Sequence, residues 1–512
     1  MHSSIWASAL CLLGSVMSGV AAAKQHVVPK PPGVNVVENV YSREYANATF
    51  EQPIDHNDPS KGTFLNRFWF NSEYWKGPGS PVFLFMVGEE AADNYLGYLD
   101  NTTIPGHYAE KFGGLTIVIE HRYFGKSLPF DTLTAETLQY LDLPQSMMDI
   151  VYFAQNVSFS LGKGLPMNDN AADAPWVLIG GSYPGALAAW ISQIFPGVFH
   201  AYHASSAVVQ TISDFYEYFK PVLKGLPSNC SADVRSVVQY VDHVLGHGSD
   251  ADIKTLKNGF GLGYLDHHDD FATQVSLPLR QWQGDEYDVF EFCDFLETSN
   301  SSSHIVSSNP NGVGLATALP LYQAFIKTYV APSCAADQST ACNSYVHLDK
   351  FNTPDDFANN RQWEWLLCHN PFGWWQVGPN VTDGNNIVSQ YVTLESSTRT
   401  CALRFPTTNG FSSGWDDGFT PEHLDLYTGG WDADFKRVLF VNGEVDPWRE
   451  ATVSADSRPN GRRSSTEDMP IIVIPNGNHC PELTFEKYEG APDLYKDMVA
   501  IMERWLNEWE KK

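Results

Sequence analysis

Five short, near-continuous apolar runs punctuate the chain, at residues 81–87, 115–119, 176–179, 438–441 and 471–474. Runs without alternation fit strands buried on both faces, as in a parallel sheet covered by helices. Ahead of them, residues 48–74 alternate apolar and polar positions around Phe64, Phe68 and Phe70, which predicts opening strands or a β-hairpin. Another short strand is expected within 201–209. Helices are predicted around 107–111, over 139–161 with Leu143, Met147, Ile150, Val151 and Ala154 on one face, and just after Ser182. The last spans 493–510, with Leu494, Met498, Ile501, Met502, Trp505 and Leu506 on one side. This strand–loop–helix rhythm stops near 212 and resumes at 437, and the text between is patchily helical. The pattern therefore predicts one α/β domain in two parts, 38–210 and 430–512, interrupted by a mainly helical cap over 211–429.

Residues 1–23 hold an apolar core and end in Ala21-Ala22-Ala23, as a secretory signal peptide does. The core is short for a membrane anchor. Proline-rich residues 24–37 read as an extended arm or propeptide. No later run is long enough to span a bilayer and the C-terminus is charged, so the expectation is a soluble secreted or vacuolar/lysosomal protein without a membrane partner. Six glycosylation sequons, at Asn47, Asn101, Asn156, Asn229, Asn300 and Asn380, agree with that route. Cys11 leaves with the signal, and the seven remaining cysteines predict up to three disulfides, with Cys480 as the leftover thiol. No cysteine or histidine spacing suggests a metal, and no cofactor is expected. Sixty acidic residues against 32 basic ones give a net charge of −28, which repels nucleic acid and is least self-repulsive in acid. A monomer or homodimer is expected.

The turn that concentrates chemistry is Gly180-Gly181-Ser182-Tyr183-Pro184-Gly185, between an apolar run and an Ala/Leu-rich helix. That layout is a nucleophile elbow, except that Pro184 takes the position where G-x-S-x-G has glycine. An ordinary glycine–serine loop is the plain alternative. Serine is a poor nucleophile without a histidine base oriented by a carboxylate. Asp446 follows the fourth run and His479 the fifth, so Ser182, Asp446 and His479 stand in α/β-hydrolase order. Alone, Asp446 reads equally as a turn cap and His479 as a surface residue. Their joint placement favours a triad. The oxyanion hole is expected from the backbone N–H of Tyr183 and of the loop near Glu89. Trp448, two residues past Asp446, is a candidate wall of the specificity pocket, with Trp374 and Trp375 from the cap, which read equally as cap core.

Four segments then acquire a meaning: 50–56 (FEQPIDH), 120–125 (EHRYFG), 180–185 (GGSYPG) and 442–448 (NGEVDPW). Through them the chain resembles the serine peptidases that include lysosomal Pro-X carboxypeptidase, dipeptidyl peptidase II and the fungal acid prolyl endopeptidases, and is most similar to the fungal branch. Residues 361–376 look like that family's cap signature. The resemblance implies an α/β-hydrolase fold with a helical cap, the Ser182–Asp446–His479 triad, Trp448 in a proline pocket, and cleavage of proline-containing peptides after proline. It leaves endopeptidase, carboxypeptidase and dipeptidyl-peptidase modes open. The competing functions are a broad-specificity serine carboxypeptidase, an esterase or lipase, and a catalytically silent binding protein on the same fold.

Overall fold

A computed structural model describes residues 39–41, 45–160, 166–167, 169–280, 282, 286–298, 309–335, 342, 360–379, 386–484 and 492–510. The expected signal peptide and arm, and the sequons at Asn300 and Asn380, lie outside the described residues.

Eleven strands are described: β1 (Asn39–Tyr41), β2 (Tyr45–Pro53), β3 (Thr63–Asn71), β4 (Val82–Met86), β5 (Leu115–Ile119), β6 (Phe159–Ser160), β7 (Pro166–Met167), β8 (Trp176–Gly181), β9 (Ala201–Ser205), β10 (Val438–Gly443) and β11 (Ile471–Ile474). All but the β6–β7 ribbon join one sheet, ordered β1-β2-β3-β5-β4-β8-β9-β10-β11. β1, β2 and β3 enter antiparallel, and from β5 onward every pairing is parallel. The unbroken apolar runs are explained by burial on both faces. Val82, Leu84 and Met86 of β4 belong to one core, while Phe83 and Phe85 belong to the other. Helices Leu143–Asn156 and Tyr183–Ile194 cover the first face, and Ile104–Phe112 and Pro492–Asn507 the second. Each large side chain so buried contributes roughly 1.5–3 kcal/mol. Sheet, order and helix layers make this an α/β-hydrolase fold.

The chain leaves β4 for β5 on one side and later returns to β8 on the other. The crevice above the carboxyl ends of β4 and β8 is thus a topological switch point, where open α/β sheets place their ligands. Between Ser205 and Val438 the described regular elements are helices, among them Ser228–His247, His268–Arg280, Leu315–Tyr329, Asn360–His369, Leu394–Arg404 and Pro421–Thr428. Three disulfides lie in this stretch, Cys230–Cys293, Cys334–Cys342 and Cys368–Cys401, and Cys480 is free.

Two expectations need correcting. The helix expected over 139–161 is Leu143–Asn156, because Asp142 caps it by accepting from the Gln145 N–H at 2.7 Å and Pro144 suits its first turn. Beyond Val157 the chain turns into β6. The final helix ends at Asn507 rather than 510.

The segments 50–56 and 120–125 meet around Asp149. Arg122 grips that carboxylate through Nε and Nη2, each at 2.6 Å, and donates to the carbonyls of Pro53, Ile54 and Tyr140. His56 Nε2 joins at 2.7 Å. Burial alone would raise the Asp149 pKa, but Arg122 and His56 outweigh it and hold it below its usual value. Breaking one partner of such a buried cluster costs about 3–5 kcal/mol. These two segments hold the scaffold rather than the chemistry.

Candidate active site

Ser182 sits between β8 and the helix Tyr183–Ile194 with φ 62° and ψ −126°, a strained backbone for a non-glycine residue. The turn closes because its neighbours lack side chains. A Cβ on Gly180 would lie 2.4 Å from the Pro184 backbone, and one on Gly185 would lie 2.7 Å from the Ser205 carbonyl oxygen. Pro184 falls in the helix's first turn, where no N–H is required, so it initiates the helix without breaking the elbow. The Ser182 N–H donates to the Ser205 carbonyl at 2.9 Å.

Asp446 and His479 follow β10 and β11 and meet: His479 Nδ1 lies 3.0 Å from Asp446 Oδ1 and 3.1 Å from Oδ2. Asp446 is fully buried, whereas the His479 side chain is 13% exposed, so the imidazole is reachable and its carboxylate is not. The two loops approach closely at Gly443, where a Cβ would fall 2.1 Å from the Asn478 carbonyl oxygen. The His479 loop is also fastened beside the elbow. The Cys480 N–H donates to Ser206 Oγ at 2.9 Å, adjacent to the carbonyl that holds Ser182. Burial disfavours the imidazolium, but Asp446 and, next, Cys480 outweigh it and keep His479 well above its ordinary 6.5.

A second buried link was not anticipated from sequence. His203 in β9 bonds Glu482 through Nε2 at 3.0 Å and the Tyr108 hydroxyl through Nδ1 at 3.1 Å. Glu482 is three residues past His479, so this contact ties the histidine loop to the sheet. Its only sequence signal is a histidine inside an apolar strand.

Tyr183, the first residue of its helix, has a backbone N–H with no intrahelical partner. The loop after β4 runs against the elbow: a Cβ on Gly88 would lie 2.6 Å from Pro184 Cγ. Glu89 follows, half-buried, and burial raises its carboxyl pKa. The far end of this loop is held by buried Glu120, which accepts from the Ala92 N–H at 3.0 Å, from Ser127 and from Arg67. The Tyr183 ring is fixed separately, its hydroxyl 3.1 Å from His121 Nε2.

Trp448 is half-buried beside the pair, its backbone N–H donating to Asp446 Oδ1 at 2.9 Å and its ring 6.2 Å from that of His479. Phe215 and Tyr218, from the stretch after β9, pack on its ring. Trp374 is buried, stacked on Phe372 at 4.8 Å with its indole N–H on the Gln210 carbonyl. Trp374, half-buried Trp375 and Trp363 line a cavity of about 380 Å³. Among the described sequons, Asn101 is exposed, Asn47 and Asn156 are half-buried, and Asn229 is buried against Glu297. Among the described residues no group of three or more His, Cys, Asp or Glu side chains is placed to hold a metal ion, and no helix is long and apolar enough to cross a membrane.

A serine on a strained turn and an imidazole oriented by a buried carboxylate form an arrangement able to carry acyl transfer. Comparison with known proteins agrees in class. Serine protease vicPb of Bipolaris victoriae (strain FI3) is 35% identical over 97% of this chain and 93% of its own. Serine protease vicPa of the same fungus is 37% identical over 89% and 88%. A probable extracellular serine carboxypeptidase of Arthroderma benhamiae is 27% identical, covering 90% of this chain and 68% of its own length. The profile described as serine carboxypeptidase S28 matches residues 52–498, and the chain belongs to that family of serine peptidases.

Proposed function

We propose that this serine peptidase cleaves peptides on the carboxyl side of proline, with Ser182 as nucleophile, His479 as base and Asp446 as its orienting acid. The observation that carries the reading is the His479–Asp446 hydrogen bond, in a loop fastened beside the Ser182 elbow. Ser182 Oγ attacks the prolyl carbonyl while His479 Nε2 takes its proton, and Asp446 accepts the Nδ1–H. The oxyanion is held by the Tyr183 N–H and an N–H of the loop at Glu89. The C–N bond then breaks as His479 passes the proton to the leaving amine. Water, deprotonated by His479, next cleaves the acyl-serine ester and restores Ser182. The flat rings of Trp448, Phe215 and Tyr218 suit the compact apolar proline ring.

Three disulfides fit an oxidising compartment, and the relative named extracellular points the same way, so secretion or delivery to a vacuole or lysosome is part of the proposal. The net charge supports work in acid. Asp446 opposes it by holding a proton on His479. A pH–rate profile decides: full turnover at about pH 4–5 supports the acid reading, and a limb rising only above 6.5 overturns it.

Matched chromogenic substrates with proline or alanine before the scissile bond test the specificity. A kcat/KM ratio of about tenfold or more for proline is expected, and a ratio near one removes the proline reading. An esterase would hydrolyse esters and leave both amides intact. A silent binding protein would not react with a fluorophosphonate at Ser182.

A further inference from the structure

The cavity lined by Trp363, Trp374 and Trp375 holds a cation that the proposed mechanism leaves unused. Arg280 ends the helix His268–Arg280 and lines this cavity of about 380 Å³ with Trp363, Trp374, Trp375 and Gln376. Its Nη2 donates to the Gln376 carbonyl at 2.8 Å, and among the described residues its buried Nε has no hydrogen-bond partner. Among the described residues no carboxylate forms a salt bridge with it. Of the acids on the cavity wall, Glu364 is taken by Arg404 at 2.6 Å and Asp270 is buried. Arg280 is half-buried, and desolvation of its guanidinium pulls its pKa down to about 10.

Two of the cavity's lining residues, Trp363 and Arg280, contact neighbours of the proposed site. On one side the Trp363 ring packs 5.5 Å from that of Tyr183, the residue after Ser182. On the other, the Arg280 carbonyl accepts from the Tyr218 hydroxyl at 3.1 Å, and Tyr218 packs on Trp448, the neighbour of His479. Two residues on, Trp282 donates to the carbonyl of Val445, next to Asp446, at 2.8 Å.

We propose that this cavity binds a carboxylate of the peptide substrate through Arg280. The guanidinium fork matches a carboxylate in shape as well as charge, and the cavity offers hydroxyls of Thr273 and Thr400 and the indoles of Trp363, Trp374 and Trp375 around it. The inference rests on the peptidase reading and deepens it by naming acidic peptides as the favoured class. The carboxylate comes from the substrate's C-terminus or from an acidic side chain beside the scissile bond.

The test reads binding without turnover, by calorimetry in a Ser182→Ala background. Three acetylated peptides are compared: one ending in Pro-Ala as the free acid, its amide, and the amide of Pro-Glu. One carboxylate-bearing peptide should bind about tenfold or more tightly than the plain amide. Preference for the free acid assigns the C-terminus, and preference for Pro-Glu amide assigns the side chain. Arg280→Gln should bring the ratio to about one, and Arg280→Lys should keep part of it. Labelling of Ser182 by a fluorophosphonate in the single Arg280 variants reports that the site is assembled. Equal binding of all three peptides with Arg280 intact overturns the proposal, as does a preference that survives Arg280→Gln. Repeating the series with alanine for proline keeps the two readings apart: a carboxylate preference that persists while the proline preference vanishes sinks only the latter.

Discussion

At the scale of single residues, the site depends on one buried carboxylate. Asp446 is inaccessible, and its carboxylate accepts from the Trp448 backbone N–H as well as facing His479. Asp446→Asn keeps the shape but removes the charge and presents an amide to Nδ1. A fall in kcat of roughly 10³–10⁴ is expected with the fold retained, measured on any cleaved substrate. A loss under tenfold would mean that Asp446 only caps its turn. Legibility at this scale followed chain position. Ser182, Asp446 and His479 each stand directly after an apolar run, and a strand followed by a reactive side chain is visible in a string of letters. Arg280 and the His203–Glu482 link were not. Arg280 lies at the end of an amphipathic helix, where a basic residue is ordinary. Glu482 finds its partner 279 residues away, and no local pattern reports such a pairing.

At the scale of elements, the proposed oxyanion hole turns on the contact between the loop after β4 and the elbow. Gly88 permits it. Gly88→Ala would press a methyl group against the Pro184 ring and push the loop away from the Tyr183 N–H. The expected result is a kcat lowered by about 10²–10³, the cost of one misplaced oxyanion donor, with the melting temperature changed by only a few degrees. An unchanged kcat would place the second donor elsewhere. Here the sequence was informative about strands and less so about helix ends. The buried strands announce themselves by unbroken apolar runs. The helix over-read at 139–161 continued an apolar stripe past a break that Asp142 and Pro144 impose at one end and a β-ribbon at the other. Local caps, rather than periodicity, set those boundaries.

At the scale of the whole molecule, the response to pH is a contest between buried groups. Burial raises Asp142 and Asp425 from 3.8 to about 6, so between those values the folded state binds more protons than the unfolded chain and stability falls as pH rises. His479, held above 6.5, adds stability that is complete below that value and lost as pH climbs through its folded pKa. Burial lowers His121 and His369 to about 4 and lowers His56 despite Asp149, so these three act oppositely and lose stability as pH falls from 6.5. Asp149, depressed below 3.8, contributes stability above that value and loses it as pH falls through its folded pKa. The sum predicts a broad plateau in melting temperature between about pH 4 and 6.5, with a decline below as Asp149 takes up its proton. Asp142→Asn keeps the helix cap but removes one titration, and should gain on the wild type as pH rises from about 4 to 7, by roughly 2–3 kcal/mol. A wild-type midpoint that falls steeply between pH 6.5 and 5 would show that the histidines dominate.

The measurement that bears most directly on the account is mass-spectrometric product mapping of a proline-rich peptide, free and blocked at each end, with Ser182→Ala in parallel. The account predicts cuts on the carboxyl side of proline that vanish in the variant. Survival of those cuts with both ends blocked would identify internal attack, and their loss on blocking the C-terminus alone would identify a carboxypeptidase. Cleavage that ignores proline, or that persists without the Ser182 hydroxyl, would contradict it.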